Sequence, residues 1–294
     1  MITVSSYAKL SSLKQALAAY ASPDRAKLVY MLPSKSNEDL LLDMLRGKGD
    51  YFDSKPEVWS WQDLYRALVP KETQRRCVDP PDHNLALRYV IEKTVSDYDV
   101  RGIALPPGVR EKNFVLPLGY AINELMLEDV GPESLCSPDD DDVSRPALLR
   151  SFYAAYKSYL AENGLADNSD IPSLTSGALS SSLPAPMAGR TLCFVGFMSF
   201  TGAQLKLLKG LEDLGLKMAF FVPDPDMRGF RDAVAQLGAL PANAGMDRIC
   251  VEKTVAPDPY SEYEWVAQTI AASEENDDVG VMVPAERLAR MTRA

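Results

Sequence analysis

The sequence predicts an α/β fold, with a parallel sheet in a core that is interrupted by a large helical insertion. Residues 1–75 alternate short β-rich runs with helical patterns, residues 76–190 keep only helical periodicity, and the β/α alternation returns at residue 191. Strands that alternate with helices of about ten residues are typical of parallel sheets, because each parallel crossover needs a long connection. We therefore expect 1–75 and 191–254 to form one core domain, with 76–190 inserted as a helical subdomain.

The first segment contains three predicted strands, each followed by a predicted helix. Ser12 and Gln15 have the spacing of a capping box, which places the start of the first helix at Ser12. Asn37 is the expected N-cap of the second helix, which is expected to end at Gly47. The runs that predict the strands span residues 2–6, 27–32 and 58–61.

The middle segment is predicted to be mainly helical. Apolar residues recur there at i, i+3, i+4 and i+7, the pattern of amphipathic helices. The stretch 169–189 is rich in Ser, Pro and Ala and is expected to be a surface connection. The three helical patterns span residues 84–95, 115–130 and 147–164.

The last segment returns to strands. An apolar strand is predicted over 191–197, followed by a helix that Gly215 closes and by a second buried strand over 216–223. After a Pro-containing linker, one more helix and strand indicate that residues 255–294 begin a second core domain. Because so few elements cannot complete a sheet, we expect the chain to be a fragment of a longer protein.

Composition and charge exclude several classes of protein for this chain. The 294 residues carry 31 basic and 41 acidic side chains, a formal net charge of −10, which gives no support for strong DNA binding by the chain alone. No apolar run reaches the roughly 20 residues that span a bilayer, and the N-terminus lacks a signal peptide, so we expect a cytoplasmic protein without a membrane partner. The four cysteines lie far apart and predict reduced thiols and no metal site.

The single histidine restricts histidine-dependent chemistry to one ring. His83 lies at the polar start of a predicted helix, beside Asp79 and Asp82. A solvated residue near a helix N-terminus is the favoured interpretation of this position, and a catalytic base is the alternative.

The sequence predicts that the ATP site of a nucleotide-binding α/β protein is missing. The loop after the first strand lacks the glycines that let backbone N–H groups approach phosphates. The acid that binds Mg²⁺ would follow the later strand, where Gly196 stands instead. We therefore predict no catalytic residue, no cofactor and no nucleotide-binding residue in the degenerate loop, whose relevant positions are Ser6, Tyr7, Lys9, Ser11 and Ser12.

The stretch FVGFMSFTGAQLKLLKGLEDLGLKMAFFVPDPD resembles the B subunit of bacterial two-subunit ATP-dependent helicase–nucleases. In that family a strand ends in Gly-Phe and a Phe-Thr precedes a helix, and Gly196, Phe197, Phe200 and Thr201 match this pattern. The later EYEWVAQTIAASEENDDVGVMVP resembles the opening of the family's second helicase core domain. The resemblance covers most of the chain loosely, and only residues 191–223 match it with some specificity.

The resemblance implies a P-loop-helicase-like core and a role in processing double-stranded DNA ends for recombinational repair. The family's B subunits are superfamily I helicase-like proteins. In some members the ATP site has decayed, and the subunit guides DNA or recognises sequence while a catalytic helicase–nuclease subunit drives translocation. The implied partners are therefore that subunit and, through the complex, DNA. The family's nuclease domain and iron–sulfur cluster have no counterpart here, and the sequence assigns no surface to DNA.

Two other functions stay open at this point. The chain could be a protein-interaction scaffold with an α/β fold, or an enzyme with a small-molecule site at the carboxyl ends of its strands. The aromatic residues of the later strands could stack on bases, but core packing is the favoured interpretation of Phe197, Phe200, Phe220 and Phe221.

Overall fold

The computed structural model describes most of the first 223 residues. The expected second core domain at 255–294 lies outside the described residues, apart from the isolated Gln268, and so do Lys9 and Gly47. The described ranges are residues 2–7, 10–20, 27–46, 55–69, 76–78, 80–135, 143–179 and 181–223.

Seven strands and eight α-helices make up this part of the chain. The strands are β1 (Ile2–Tyr7), β2 (Leu28–Met31), β3 (Glu57–Trp59), β4 (Arg76–Cys77), β5 (Leu165–Ala166), β6 (Thr191–Val195) and β7 (Lys217–Pro223). The helices are α1 (Leu10–Tyr20), α2 (Glu38–Leu45), α3 (Trp61–Leu68), α4 (Pro80–Val100), α5 (Val115–Leu127), α6 (Arg145–Glu162), α7 (Ile171–Gly177) and α8 (Gly202–Asp213).

The predicted α/β class and parallel sheet are confirmed. Five parallel strands form one sheet in the order β1-β7-β6-β2-β3. Strands from both ends of the described chain therefore lie side by side, with Met31 of β2 opposite Phe194 of β6 and Phe194 opposite Phe220 of β7. All five residues of β6 are buried, as expected for a strand covered on both faces.

Helices cover both faces of the sheet. On one face α1 and α2 pack against alternate sheet residues, with Leu17 and Leu41 in a core that includes Cys193. On the other face α3 and α8 pack against the remaining positions, with Leu64 and Leu207 in that core. The alternation follows from the two-residue period of a strand, and the result is a three-layer α/β/α arrangement.

The residues between α3 and β6 build a separate core. Helices α4, α5 and α6 bury it, with Leu87, Ile122, Phe152 and Tyr156 each fully enclosed. This part of the chain also contains the two-stranded parallel ladder of β4 and β5, which helical periodicity did not predict. We call residues 80–177, from α4 to α7, the helical stretch.

The connection expected at 169–189 is more ordered and more buried than predicted. It contains α7, and Met187 lies fully buried in the core beneath α8. The abundance of Ser, Pro and Ala led to the prediction of a loop. Proline is nevertheless compatible with a helix start, and Pro172 lies in the first turn of α7, where an N–H group would have no partner within the helix.

The ends of several helices differ from the predicted ones. Helix α1 begins at Leu10, two residues before the expected Ser12. Asn37 precedes α2 but its side chain makes no capping hydrogen bond, because a 3₁₀ turn leads into the helix and Ser34 caps that turn. Gly215 is confirmed as the closing residue after α8, with a left-handed φ of +89°.

The first residue of α8 meets the helical stretch at Glu128, and the side of α8 packs against α7. A Cβ at Gly202 would lie 2.6 Å from the backbone oxygen of Glu128, so only glycine fits this contact. The carboxylate of Glu128 accepts a hydrogen bond from the Gly202 N–H, and Asp129 pairs with Lys206 one turn further along α8. Among the described helices, none is long and apolar enough to cross a membrane.

Adjacent leucines of α2 provide a test of the packing. Leu41 is 2% exposed and Leu40 is 50% exposed. We predict that Leu41→Ala lowers the free energy of unfolding by about 2–5 kcal/mol, because it leaves a cavity against the sheet. Leu40→Ala should change it by less than about 0.5 kcal/mol. Urea denaturation followed by circular dichroism measures both, and equal effects would contradict the assignment of this face.

Candidate functional site

The residues predicted for a degenerate ATP site lie near the ends of β1 and β6. Tyr7 is the last residue of β1, and Ser11 and Ser12 lie in the first turn of α1. Ser6 lies on β1, which is at an edge of the described sheet. The sequence of residues 5–12 contains no glycine.

Gly196 directly follows β6, where a metal-binding acid would lie in an active ATPase. Its φ is +74°, a left-handed conformation that favours glycine, and open space surrounds the position of its missing Cβ. Its N–H donates to the carbonyl oxygen of Phe221 and thereby prolongs the pairing with β7. The backbone turns away from the sheet at Gly196 without presenting a side chain.

The chain order of the strands marks a switch point between β2 and β6. From β2 the chain proceeds to β3 on one side, and from β6 it proceeds to β7 on the other. Ligands of open α/β sheets bind in the crevice outside the carboxyl ends of the strands at such a point. The residues that follow β2, β3 and β6 are therefore the candidate functional site, which we call the strand-end cluster (Ser34–Lys35, Ser60–Asp63 and Gly196–Phe200).

An ion pair joins two parts of the strand-end cluster. The Nζ of Lys35, after β2, lies 2.9 Å from Oδ2 of Asp63, after β3. The Lys35 side chain is half exposed, so its ammonium group faces solvent on one side. Ser34 and Ser36 add hydroxyl groups whose oxygens are 2.9 Å apart.

Asp63 is held by the start of α3. The Ser60 N–H and hydroxyl donate to its Oδ2, at 2.9 and 2.7 Å, and the Asp63 N–H donates back to Ser60 Oγ. This reciprocal arrangement is a capping box. Burial alone raises the pKa of Asp63, but the hydrogen bonds from Ser60 and the ion pair with Lys35 outweigh it and lower that pKa to about 2.

Aromatic rings form the other wall of the cluster. The Trp61 ring lies 5.7 Å from Tyr65, and its neighbours Phe197 and Phe200 are 6.0 and 5.9 Å away, centroid to centroid. Phe200 is half-buried, and the side chain of Met198 is 57% exposed. Aromatic rings and a thioether at the carboxyl ends of the strands can pack against an apolar or aromatic surface of a ligand.

The packing interpretation of the four aromatic residues is confirmed, because each belongs to a core of the sheet or packs against one. Phe197, Phe220 and Phe221 are buried, whereas Phe200 keeps part of its surface exposed. Trp61 was predicted to end a strand, but it is the first residue of α3. The spacing of Ser60 and Asp63 could have identified a helix start there.

His83 is not the solvated residue that we predicted. Its side chain is 14% exposed, and its Nδ1 lies 2.7 Å from Oδ2 of Asp167 and 2.9 Å from the Tyr156 hydroxyl. Tyr156 also donates to Asp167 at 2.9 Å. Composition near His83 could not reveal these partners, because they lie 73 and 84 residues away.

Asp167 is the centre of this second polar group. Its Oδ1 accepts the Ser169 N–H at 2.8 Å, so both carboxylate oxygens are occupied. Burial raises the pKa of Asp167, but hydrogen bonds from His83, Ser169 and Tyr156 reverse this, and the net pKa is lowered. Burial and the carboxylate of Asp167 raise the pKa of Tyr156. Asp167 is therefore ionised and acts only as an acceptor.

Few side chains in the described ranges are candidates for metal binding or for thiol chemistry. No group of three or more His, Cys, Asp or Glu side chains is placed there to hold a metal ion. Cys193 is buried in the sheet, where burial raises the pKa of its thiol to about 12. Such a thiol is a poor nucleophile.

The sequence matches no protein-family model and no curated protein.

The pKa of Asp63 generates a pH-dependent prediction. Because folding lowers this pKa from 3.8 to about 2, the ionised carboxylate stabilises the fold above about pH 4, and that contribution is lost as the pH falls towards 2. Asp63→Asn should cost about 1–2 kcal/mol at pH 7 and much less near pH 2. Urea denaturation at several pH values measures this convergence.

The exposed Asp43 on α2 provides the matched control. Its side chain is 73% exposed, so Asp43→Asn should change the free energy of unfolding by less than about 0.5 kcal/mol at either pH. A constant deficit for Asp63→Asn from pH 7 to pH 2.5 would show that Asp63 acts through shape and not through its charge.

Proposed function

We propose that this chain is a non-catalytic, superfamily I helicase-like module of a DNA-end-processing helicase–nuclease, acting in recombinational repair. The observation that carries the proposal is Gly196, a glycine in a left-handed turn at the position of the metal-binding acid. It occurs together with a glycine-free loop after β1. A chain that lacks both halves of an ATP site but keeps a parallel α/β sheet fits a scaffold that has lost its chemistry.

The order of elements supports the same proposal. The helical stretch leaves the sheet after α3 and returns at β6, beside β2. This order supports the proposed P-loop-helicase-like core, 1–75 plus 191–254, with a helical insertion at 76–190. In such a complex the catalytic helicase–nuclease subunit would hydrolyse ATP, and this chain would guide DNA.

Within this proposal the strand-end cluster is the surface for single-stranded DNA. It lies at the switch point of the sheet and combines a half-exposed ammonium group, hydroxyls and rings with exposed edges. Single-strand binding sites combine positive charge with rings on which bases stack. Because the whole chain carries a charge of −10, the partner subunit must supply most of the positive potential.

Nucleotide binding is the first test. We predict that calorimetric titration of the chain with Mg-ATP gives no saturable heat. The loop after β1 lacks the glycines that bind phosphates, and Gly196 replaces the acid that binds the metal. An ATPase with intact motifs serves as the positive control. Micromolar affinity that Lys9→Ala abolishes would contradict the loss of the site.

DNA binding is the second test. We predict that fluorescence anisotropy with single-stranded DNA gives a Kd weaker than about 1 μM at physiological salt, with affinity falling steeply as salt increases. Met198→Glu should weaken binding at low salt by at least about threefold, because it places a negative charge in the strand-end cluster.

Leu40→Glu is the matched control for that variant. Leu40 is exposed to a similar degree as Met198 but lies on α2, outside the cluster. The two variants have the same net charge, so a general electrostatic effect would weaken both equally. Equal weakening, or nanomolar binding by the unmodified chain, would contradict this DNA surface.

A further inference from the structure

A cavity of about 280 Å³ lies in the helical stretch, away from the strand-end cluster. One face of α5 forms a wall, with Leu116, Gly119, Tyr120 and Asn123 at successive turns. Typical ligand pockets span about 300–1,000 Å³, so this cavity holds a group of one or two rings and not a whole nucleotide. The opposite wall contains Val78, His83, Asn84 and Asp167–Ser169.

His83 presents a hydrogen-bond acceptor to this cavity. Because Asp167 is an ionised acceptor 2.7 Å from Nδ1, the Nδ1 atom carries the ring proton. In the neutral ring Nε2 then has a free lone pair. Nε2 lies beside Gly119, where a Cβ would be only 3.2 Å from it, so the absence of a side chain at 119 leaves this nitrogen open.

Asn123 presents a second acceptor. Its Oδ1 is buried and has no hydrogen-bond partner within the described part of the chain. A buried polar atom without a partner is unfavourable, so Oδ1 favours a ligand that donates a hydrogen bond. Asn123 and His83 line the same cavity.

The lining favours a neutral ring that carries an amino group. The only ionised lining group is the carboxylate of Asp167, and no lysine or arginine lines the cavity, so an anion is disfavoured. Tyr120 and Leu116, which are 70% and 55% exposed, provide an aromatic and an apolar edge at the mouth. Asn84 and Asn168 can donate to a ring nitrogen beside the amino group.

We propose that this cavity binds an amino-substituted nucleobase, with the exocyclic amino group donating to Nε2 of His83 and Oδ1 of Asn123. The base could come from a free nucleoside or from an unpaired position in single-stranded DNA. The site stands independently of the helicase-like function, because its evidence lies entirely in the helical stretch.

The chain's single histidine makes the proposal directly measurable. The imidazole nitrogens of ¹⁵N-labelled protein give one set of long-range ¹H–¹⁵N correlations, recorded at a pH where they show a neutral ring. The probe is 1-methylcytosine. We expect its saturable binding to move the Nε2 resonance upfield while Nδ1 keeps its protonated position. N4,N4-dimethyl-1-methylcytosine, which lacks the amino hydrogens, should bind at least about tenfold more weakly.

Gly119→Ala is the blocking variant, because its methyl group would shield Nε2 without changing a polar group. It should weaken binding of 1-methylcytosine at least about tenfold. Gly177→Ala is the control for a glycine-to-alanine change in a helix, since Gly177 is the last residue of α7 and has open space at its Cβ position. Asn123→Leu, similar in size but lacking the acceptor, should weaken binding as well. Circular dichroism verifies that each variant is folded.

Two oligonucleotides distinguish the sources of the base. A shift of Nε2 by oligo-dC but not oligo-dT would assign the site to single-stranded DNA, and a shift by free 1-methylcytosine alone would assign it to a free base. Absence of any shift at about 10 mM probe, or equal shifts by the dimethylated analogue, would overturn the proposal and leave water as the occupant. Neither result bears on the strand-end cluster, whose variants test the DNA function separately.

Discussion

The sheet depends on β6, which comes late in the sequence and fills the gap between β2 and β7. Its alternate residues enter two different cores, Phe194 on the side of α8 and Cys193 on the side of α1. Without β6, strands β2 and β3 would form a separate pair with an open edge. The two ends of the helical stretch must therefore lie close together before either layer can pack.

Closure of the helical stretch relies on buried carboxylates. Asp167 is 3% exposed and joins α4, α6 and the turn before α7 through His83, Tyr156 and Ser169. Asp170 pairs with Lys157 of α6 at 2.7 Å, directly beside it. Since removal of one member leaves a buried charge unpaired, these contacts fix one arrangement of the helices more than they add net stability.

The sequence predicted the parts of the structure that depend on local pattern. The apolar runs at β2, β6 and β7 and the glycine at 215 identified strands and a helix end correctly. The environment of His83 and the exposure of Trp61 could not be predicted, because they depend on partners brought together by the fold. Residue type alone did not predict the cap of α2. Asn37 is a favoured capping residue, but a 3₁₀ turn precedes the helix, and Ser34 caps that turn while the Asn37 side chain makes no capping hydrogen bond.

The contact at Gly202 has a mechanical consequence. Helix α8 is about 18 Å long and lies against the sheet, with its first residue in direct contact with the backbone of Glu128. Force that pushes the helical stretch along the axis of α8 would press the Glu128 backbone directly against Gly202, where no side chain separates the two segments. Pulling in the opposite direction would be resisted by the Glu128 hydrogen bond, by the Lys206 ion pair and by the packing of α8 against α7. The joint therefore resists load along the whole side of α8 as well as at its first residue.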